Sequence, residues 1–534
     1  MKTKFTFIIF ILASFSIYAQ PVMLGNLEGN ETYFTGFNGK VYFASGTKIQ
    51  VADTLSKSIH LVADLPETVI GDLGYSRSFD GNLRVYKGSV VTRFPVAGDF
   101  IYPLTKPQPD SISIWRIDKS ETIIEKIGVF DTIENYVEFK NDLYFSASKA
   151  GCGFQIWKVD QNGAISQLTN WEKYSNSIYL IPGEDFLYFD YRGKCVSNEE
   201  CANYSSLYKS DGTIEGTIEV SEDFEAIGKG WIRNLVFFKD NLYYIYADTI
   251  WKYDNDVITP FVDNTGYDDY HFSNILKVNN YLIYEIVHEM SPDNRLYSIE
   301  AGTGAGVFLA GYGDGNNFFP VGDQLFYYNR ADYYIGSFHK TDGTSDGTQE
   351  FIARIREYAV ANRFQAVRSY MFYSVNEDYY AEYLNYELYQ TDLTTEGSRK
   401  VQDIFGGTQS YDMVNNFAEA NGVLFFTAGE KPSSMRTPPS LLYYYNLAPD
   451  IISAVKQPDA MVIDIHPNPT TNTCFIKADV QGTILLTDAL GKPVLEEKFS
   501  QEGRLDLSKL ASGVYFIRLL TTGNNVIVDK IVKQ

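Results

Sequence analysis

Two histidines stand beside carboxylates. His271 follows Asp268 and Asp269 in "YDDYHF", and His288 lies between Glu285 and Glu289 in "YEIVHEMSPD". A histidine next to an acid is a pairing that general acid–base catalysis uses, and a His-Glu pair also opens the helix of many zinc hydrolases. Here Met290, Ser291 and Pro292 follow, the second histidine of such a helix is missing, and Pro292 opposes the helix itself. The chain contains no glycine-rich loop ending in Gly-Lys-Ser/Thr. With 67 acidic residues, two can lie at hydrolytic separation by chance, so composition selects no catalytic pair.

Four cysteines remain. Cys195 and Cys201 enclose "VSNEE" and form the first candidate disulfide. A zinc site needs more ligands than two cysteines without a nearby histidine provide. Cys152, in "AGCGF", is a rival partner for either, and Cys474 falls in a different part of the chain.

The elements that position these residues are strands. The chain has 534 residues, 45% of them hydrophobic, with 41 Tyr and 36 Phe, a composition suited to pleated, half-buried surfaces. Its net charge of −22 repels a phosphate backbone and argues against nucleic-acid binding. At the N-terminus, Lys2 and Lys4 precede an apolar stretch from Phe5 to Ile17, and Ala19 stands before a cut at Gln20. That is the pattern of a secretory signal peptide over residues 1–19. No second apolar run is long enough to span a bilayer, and no cysteine follows the first to accept a lipid.

Behind that leader a unit recurs. A polar turn enters an aromatic run, as in "NGKVYFAS" (38–45), "KNDLYFSAS" (140–148) and "KDNLYYIYA" (239–247). A second strand with Trp or Tyr follows, then a turn such as "SDGTIEGT" (210–217), then a third strand. Units begin near 38, 80, 140, 182, 239, 278, 321, 367 and 420. A period of about 40–60 residues built only of short strands is that of propeller blades. In the turn, Asp211 is expected to accept backbone N–H groups just ahead, and Gly212 and Gly216 to take positive φ. Leu393 occupies the first glycine position in "TDLTTEG", which a phosphate or metal loop would tolerate poorly. Calcium held by Asp211 or Asp342 is the minority reading, because neither run has the spaced carboxylates of a calcium loop.

The unit resembles the "ELWxxDGTxxGT" repeat of secreted bacterial β-propeller proteins, most faithfully at 206–217, 337–348 and 387–398. The resemblance implies architecture over roughly residues 25–450 and almost nothing about chemistry. After a Pro-containing stretch (446–461) the texture changes. Pro467-Asn468-Pro469, Asp488, Gly491-Lys492, Leu505 to Leu507 with Ser508 and Leu510, Ser512-Gly513-Val514-Tyr515 and Lys530-Ile531-Val532-Lys533 follow in order. This segment resembles the type A C-terminal sorting domain of the type IX secretion system of Bacteroidetes. The resemblance implies export through the periplasm, passage across the outer membrane, and release or attachment at the cell surface.

The sequence thus predicts an all-β chain: a propeller of seven to nine blades at 20–450, a linker at 451–460, and a small Ig-like β-sandwich at 461–534. The sandwich's exposed edge suits docking on the type IX machinery by strand addition. The leading function is a non-catalytic scaffold that binds a polysaccharide or protein through propeller loops. The alternatives are a propeller glycoside hydrolase or lyase with axial carboxylates and a structural adhesion or matrix protein. Aromatic runs at 265–272, 329–334 and 378–389 are candidate sugar platforms, although alternation turns about half of such rings inward.

Overall fold

The structure is a computed structural model of the full chain. It describes residues 21–533 except 27–31, 54–55, 57, 71–93, 152, 172–178, 193–204, 221–230, 264–269, 289–293, 301–305, 313–317, 331–334, 357–359, 377–385, 403–410, 432–440, 447–463, 467, 488–492 and 522–525. Among these residues every helix or strand is a β-strand, and no helix is long and apolar enough to cross a membrane. The chain divides into two compact units, 1–448 and 449–534. The signal sequence, the 451–460 linker, Cys152, Cys195 and Cys201 lie outside the described residues.

The first unit is a propeller of nine blades. Eight are four-stranded antiparallel sheets, at 32–64, 132–167, 180–219, 233–263, 270–312, 318–356, 360–402 and 411–446. The second blade, 68–130, is a six-stranded variant. The outermost strand of the ninth blade is Val22–Asn26 from the chain's beginning, paired antiparallel to Leu441–Asn446. First and last blades are thereby stitched into one ring. Each aromatic run read from the sequence is the second strand of its blade. A further strand precedes it and lies beside the first strands of the neighbouring blades.

Why a ring forms follows from where the apolar residues point. Between neighbouring blades lie nine buried clusters, one at each junction. Tyr179, Ile181 and Leu207 of the fourth blade, for example, meet Ile232, Tyr244 and Tyr246 of the fifth. A single blade has two apolar faces and cannot bury either alone, so burial requires neighbours. The polar turns between first and second strands are tight hairpins with successive positive φ, as at Lys140 and Asn141 (52° and 68°) and at Lys239 and Asp240 (46° and 62°). That conformation matches the right-handed twist of the flanking strands. On three first strands a bulge falls at Asn135, Asn234 and Asn416, with φ of 41°, 53° and 52°, which adds local twist near the axis.

The Asp-Gly-Thr turn joins the third and fourth strands and is repeated almost atom for atom. Thr213 N and Oγ1 donate to Asp211 Oδ1 (2.9 and 2.7 Å), Gly216 N to Thr213 Oγ1 (2.9 Å), and Thr217 Oγ1 to Thr213 O (2.6 Å). Asp342 with Thr344, and Asp392 with Thr394, do the same. Gly212 and Gly343 have φ of 98° and 96°, and Leu393 has 65°. The expectation for Gly216 is corrected: its φ is not positive, and what demands glycine there is space, since an added Cβ would collide with the Asp211 carboxylate. The first glycine also lies against the preceding blade, Gly212 under the Tyr144 hydroxyl and Gly343 under the Tyr281 ring. Leu393 is itself buried at a blade junction, among Phe326, Phe338 and Tyr373.

Polar latches tie further blades together. Glu121, in the last hairpin of the second blade, accepts from Lys40 Nζ (2.7 Å) and Tyr42 Oη (3.0 Å) and pairs with His60 Nε2 (2.8 Å) on the first. That hairpin is shaped by Asp118. Burial works against the Asp118 carboxylate, but the Ser120 hydroxyl and the N–H groups of Ile123, Thr122 and Ser120 hold its pKa down at about 2.

The second unit is a five-stranded, nearly closed sandwich made of Asp464–His466, Thr473–Thr487, Pro493–Asp506, Gly513–Thr521 and Val526–Lys533. Thr473–Thr487 serves both halves, with a register shift between Lys477 and Gln481 that turns it from one to the other. Cys474, Ile476, Leu486, Phe499, Leu505, Tyr515, Ile517, Leu519 and Ile531 form its core.

Gly343→Ala should cost about 2 kcal/mol, because the left-handed backbone penalises any Cβ and this one meets Tyr281. Leu393→Gly should destabilise as well, by about 3 kcal/mol, because a buried side chain is lost; urea unfolding followed by near-UV circular dichroism checks both. Asp118 has a depressed pKa in the folded state, so its stabilisation is present above pH 4 and lost as pH falls from about 4 towards 2. The urea midpoint should therefore drop between pH 5 and pH 3, and Asp118→Asn should reduce that drop.

Candidate functional site

In the sandwich, Asn468 and Thr470 bind the last strand. Asn468 Nδ2 donates to Lys530 O (2.6 Å), and Asn468 Oδ1 accepts Val532 N (2.9 Å). Thr470 N donates to Val532 O (2.8 Å), and Thr470 pairs in parallel with Lys533. The turn after Asp464–His466 thus clasps the chain's final strand, with the exposed Pro469 following Asn468. Tyr515 is buried, and its hydroxyl donates to Ala511 O (2.8 Å), fixing the entry to Gly513–Thr521. Asp506 Oδ1 caps Ser508 N (2.9 Å), and Leu507 N reaches Asn472 O (2.7 Å). Lys530 is exposed and joins the clasp through its carbonyl. Nothing within 4 Å explains a glycine at Gly513. Pro467, Asp488, Gly491 and Lys492 lie outside the described residues. Cys474 is a free thiol, and burial pushes its pKa up to about 11, which leaves it a core residue.

Among the described residues, no catalytic centre forms around His271 or His288. His288 ends the strand Tyr281–His288, so it does not stand on a zinc-hydrolase helix. Its ring stands edge-on to Tyr270 at 4.6 Å, and Tyr270 is in turn stacked under Arg295. Asp268, Asp269 and Glu289 lie outside the described residues. A grouping not visible in sequence is Ser337, His339 and Glu350. Ser337 Oγ lies 2.7 Å and Glu350 Oε2 3.6 Å from His339, but both face the same ring nitrogen, Nε2. A relay needs the acid on the opposite nitrogen, so these three do not form one. Burial keeps the His339 pKa below its usual value, despite Glu350. Among the described residues no group of three or more His, Cys, Asp and Glu side chains could hold a metal ion. Asp211 and Asp342 each spend Oδ1 on their own turn.

A second feature missed in sequence is a buried ion pair on the fourth blade. Asp190 is fully buried; it accepts Tyr179 N (2.6 Å) and Arg192 Nε (2.6 Å). Arg192 Nη2 crosses to Ile232 O of the next blade (2.8 Å). Burial pushes the Asp190 carboxyl up against the pull of Arg192. Desolvation works against the Arg192 charge, but Asp190 and Tyr179 together hold its pKa above the usual value. The signal was present in "LYFDYR": an Asp and an Arg two apart on a strand share a face. Of the candidate aromatic runs, 264–269, 331–334 and 377–385 fall outside the described residues. Phe272 and Leu388 are buried, and Tyr389 stacks on Tyr373 at 5.7 Å.

Comparison with known proteins adds one firm match. The sequence profile described as a secretion system C-terminal sorting domain fits residues 464–534. No curated protein matches the chain. Among solved structures, the chain is similar to a prolyl endopeptidase (10% identity, 66% of this chain and 55% of that one, TM-score 0.39). It is also similar to the tricorn protease (11% identity, 96% and 61%, TM-score 0.23) and to oligogalacturonate lyase of Vibrio parahaemolyticus (9%, 78% and 98%, TM-score 0.34). The chain thus spans 55% and 61% of the two peptidases' lengths, and similarity this low assigns neither an activity nor a ligand.

Asn468→Ala should remove both hydrogen bonds on the terminal strand and leave the Lys530 carbonyl and Val532 N–H to solvent. A loss of about 1–3 kcal/mol is expected for the sandwich, read as faster hydrogen exchange at Val532 in the full chain. Carried behind the nine-bladed propeller, residues 464–534 are a C-terminal sorting domain of the type IX secretion system, and they mark the protein for export to the medium or the outer cell surface.

Proposed function

We propose that the propeller is a non-catalytic recognition module, binding an extracellular polysaccharide or protein after the sorting domain has delivered it. The observation that supports this reading is the inequality of the propeller's two ends. At one end the strands are joined by two-residue hairpins, such as 140–141, 239–240 and 322–323, and by the hydrogen-bonded Asp-Gly-Thr turns. All of these are spent on folding. The other end receives the longer connections, among them 168–179, 193–204 and 220–232. Binding residues are disproportionately placed on loops held by a rigid scaffold, and this end receives the longer connections.

Delivery and recognition are tested together. In a host with a type IX system, the full chain should appear at the surface or in the medium, and a chain lacking residues 464–534 should stay in the periplasm. The exported protein should then retain a polysaccharide from an array, or a surface protein, without releasing reducing ends. Release of sugar ends that one carboxylate substitution abolishes would replace this reading with an enzymatic one.

A further inference from the structure

Trp231 is exposed where the other tryptophans are not. Trp157 is 8% exposed and Trp231 47%; Trp115, Trp171 and Trp251 are intermediate. The indole nitrogens of Trp115, Trp157 and Trp251 donate to Thr105 Oγ1, Ala147 O and Tyr246 O at 3.0, 3.2 and 3.1 Å, ties that serve the blades themselves. Trp231 precedes the first strand of the fifth blade, at the end that carries the long connections. Its ring lies over the Arg192 guanidinium at 5.4 Å, and the same cation stacks on Tyr179 at 4.9 Å. Arg192 is itself fixed by Asp190 and the Ile232 carbonyl. A large apolar ring is therefore held at the surface on a rigid, buried ion pair, so little conformational freedom is lost when a ligand covers it.

We infer that Trp231 is a stacking platform for a pyranose unit of an uncharged polysaccharide. The inference rests on the recognition reading above and names its ligand class. A sugar ring presents C–H groups on its flat face, and an aromatic face carries the negative end of the ring quadrupole. The occupant's charge is set by two features. Arg192 already sits against the indole, so a cationic ligand stacking on the same ring meets like charge nearby. The net charge of −22 repels polyanions. A neutral glycan incurs neither penalty.

The test uses the purified full chain with laminarin, mannan and xylan as neutral probes and polygalacturonate and alginate as acidic ones. Binding is read by affinity electrophoresis and by tryptophan fluorescence. A neutral polymer should bind, Trp231→Ala should weaken it at least about tenfold, equivalent to 1.4 kcal/mol, and Trp231→Tyr should restore most of the affinity. Both variants should still unfold cooperatively as the parent does, since about half of the ring is in solvent. Neutral binding unchanged by Trp231→Ala would overturn the platform and leave the recognition reading standing. Binding confined to the acidic polymers would overturn the neutral assignment. If no polysaccharide binds, the platform fails, and recognition survives only if a surface protein is retained.

Discussion

Burial between blades is the interaction on which the rest depends. No blade has a core of its own; the nine apolar clusters each belong to two neighbours. An open arc would leave two aromatic faces in water. The pairing of Val22–Asn26 with Leu441–Asn446 brings the propeller's first and last strands into the ninth blade, and the cluster around Phe34, Phe43, Val423 and Phe425 seals the junction with the first. Closure makes a local sheet contact into a property of the whole ring.

The same demand explains the recurrence of the Asp-Gly-Thr turn. It is not only a way to reverse direction. Its aspartate organises the hairpin, its first glycine admits a tyrosine from the preceding blade, and its second makes room for the aspartate. Where Leu393 replaces that glycine, it fills the junction with its own side chain. A motif that looks like a ligand loop is thus consumed by packing. Among the described residues at the opposite end, the Asp190–Arg192 pair lies beneath Trp231. Removing either charge would strand the other away from water, a cost of several kcal/mol in typical cases.

Legibility differed between the two units. In the sandwich, Asn468 and Tyr515 stood out by order and position alone, and both make hydrogen bonds that hold strand ends. In the propeller, the unit starts near 140, 239, 321 and 420 coincide with real hairpins, because Asn, Asp and Gly announce positive φ. The start near 80 falls outside the described residues, and the second blade instead turns at Asp99 and positive-φ Gly98. The first strand of each blade went unread. Bulges at Asn135, Asn234 and Asn416 break its alternation, so the period-two signal is lost where the twist is greatest.

By itself the sequence determined that the chain is all-β, repetitive, acidic and addressed for export, since strand periodicity, turn chemistry and the terminal sorting pattern are local in the chain. Tertiary structure decided what depends on residues far apart. It set the blade count at nine, because closure recruits the first strand to the last blade. It separated Ser337, His339 and Glu350 from catalytic geometry by directing two partners to one nitrogen. It also placed Trp231 over Arg192, 39 residues away in sequence, because sheets pack face to face and bring one blade's second strand to the start of the next.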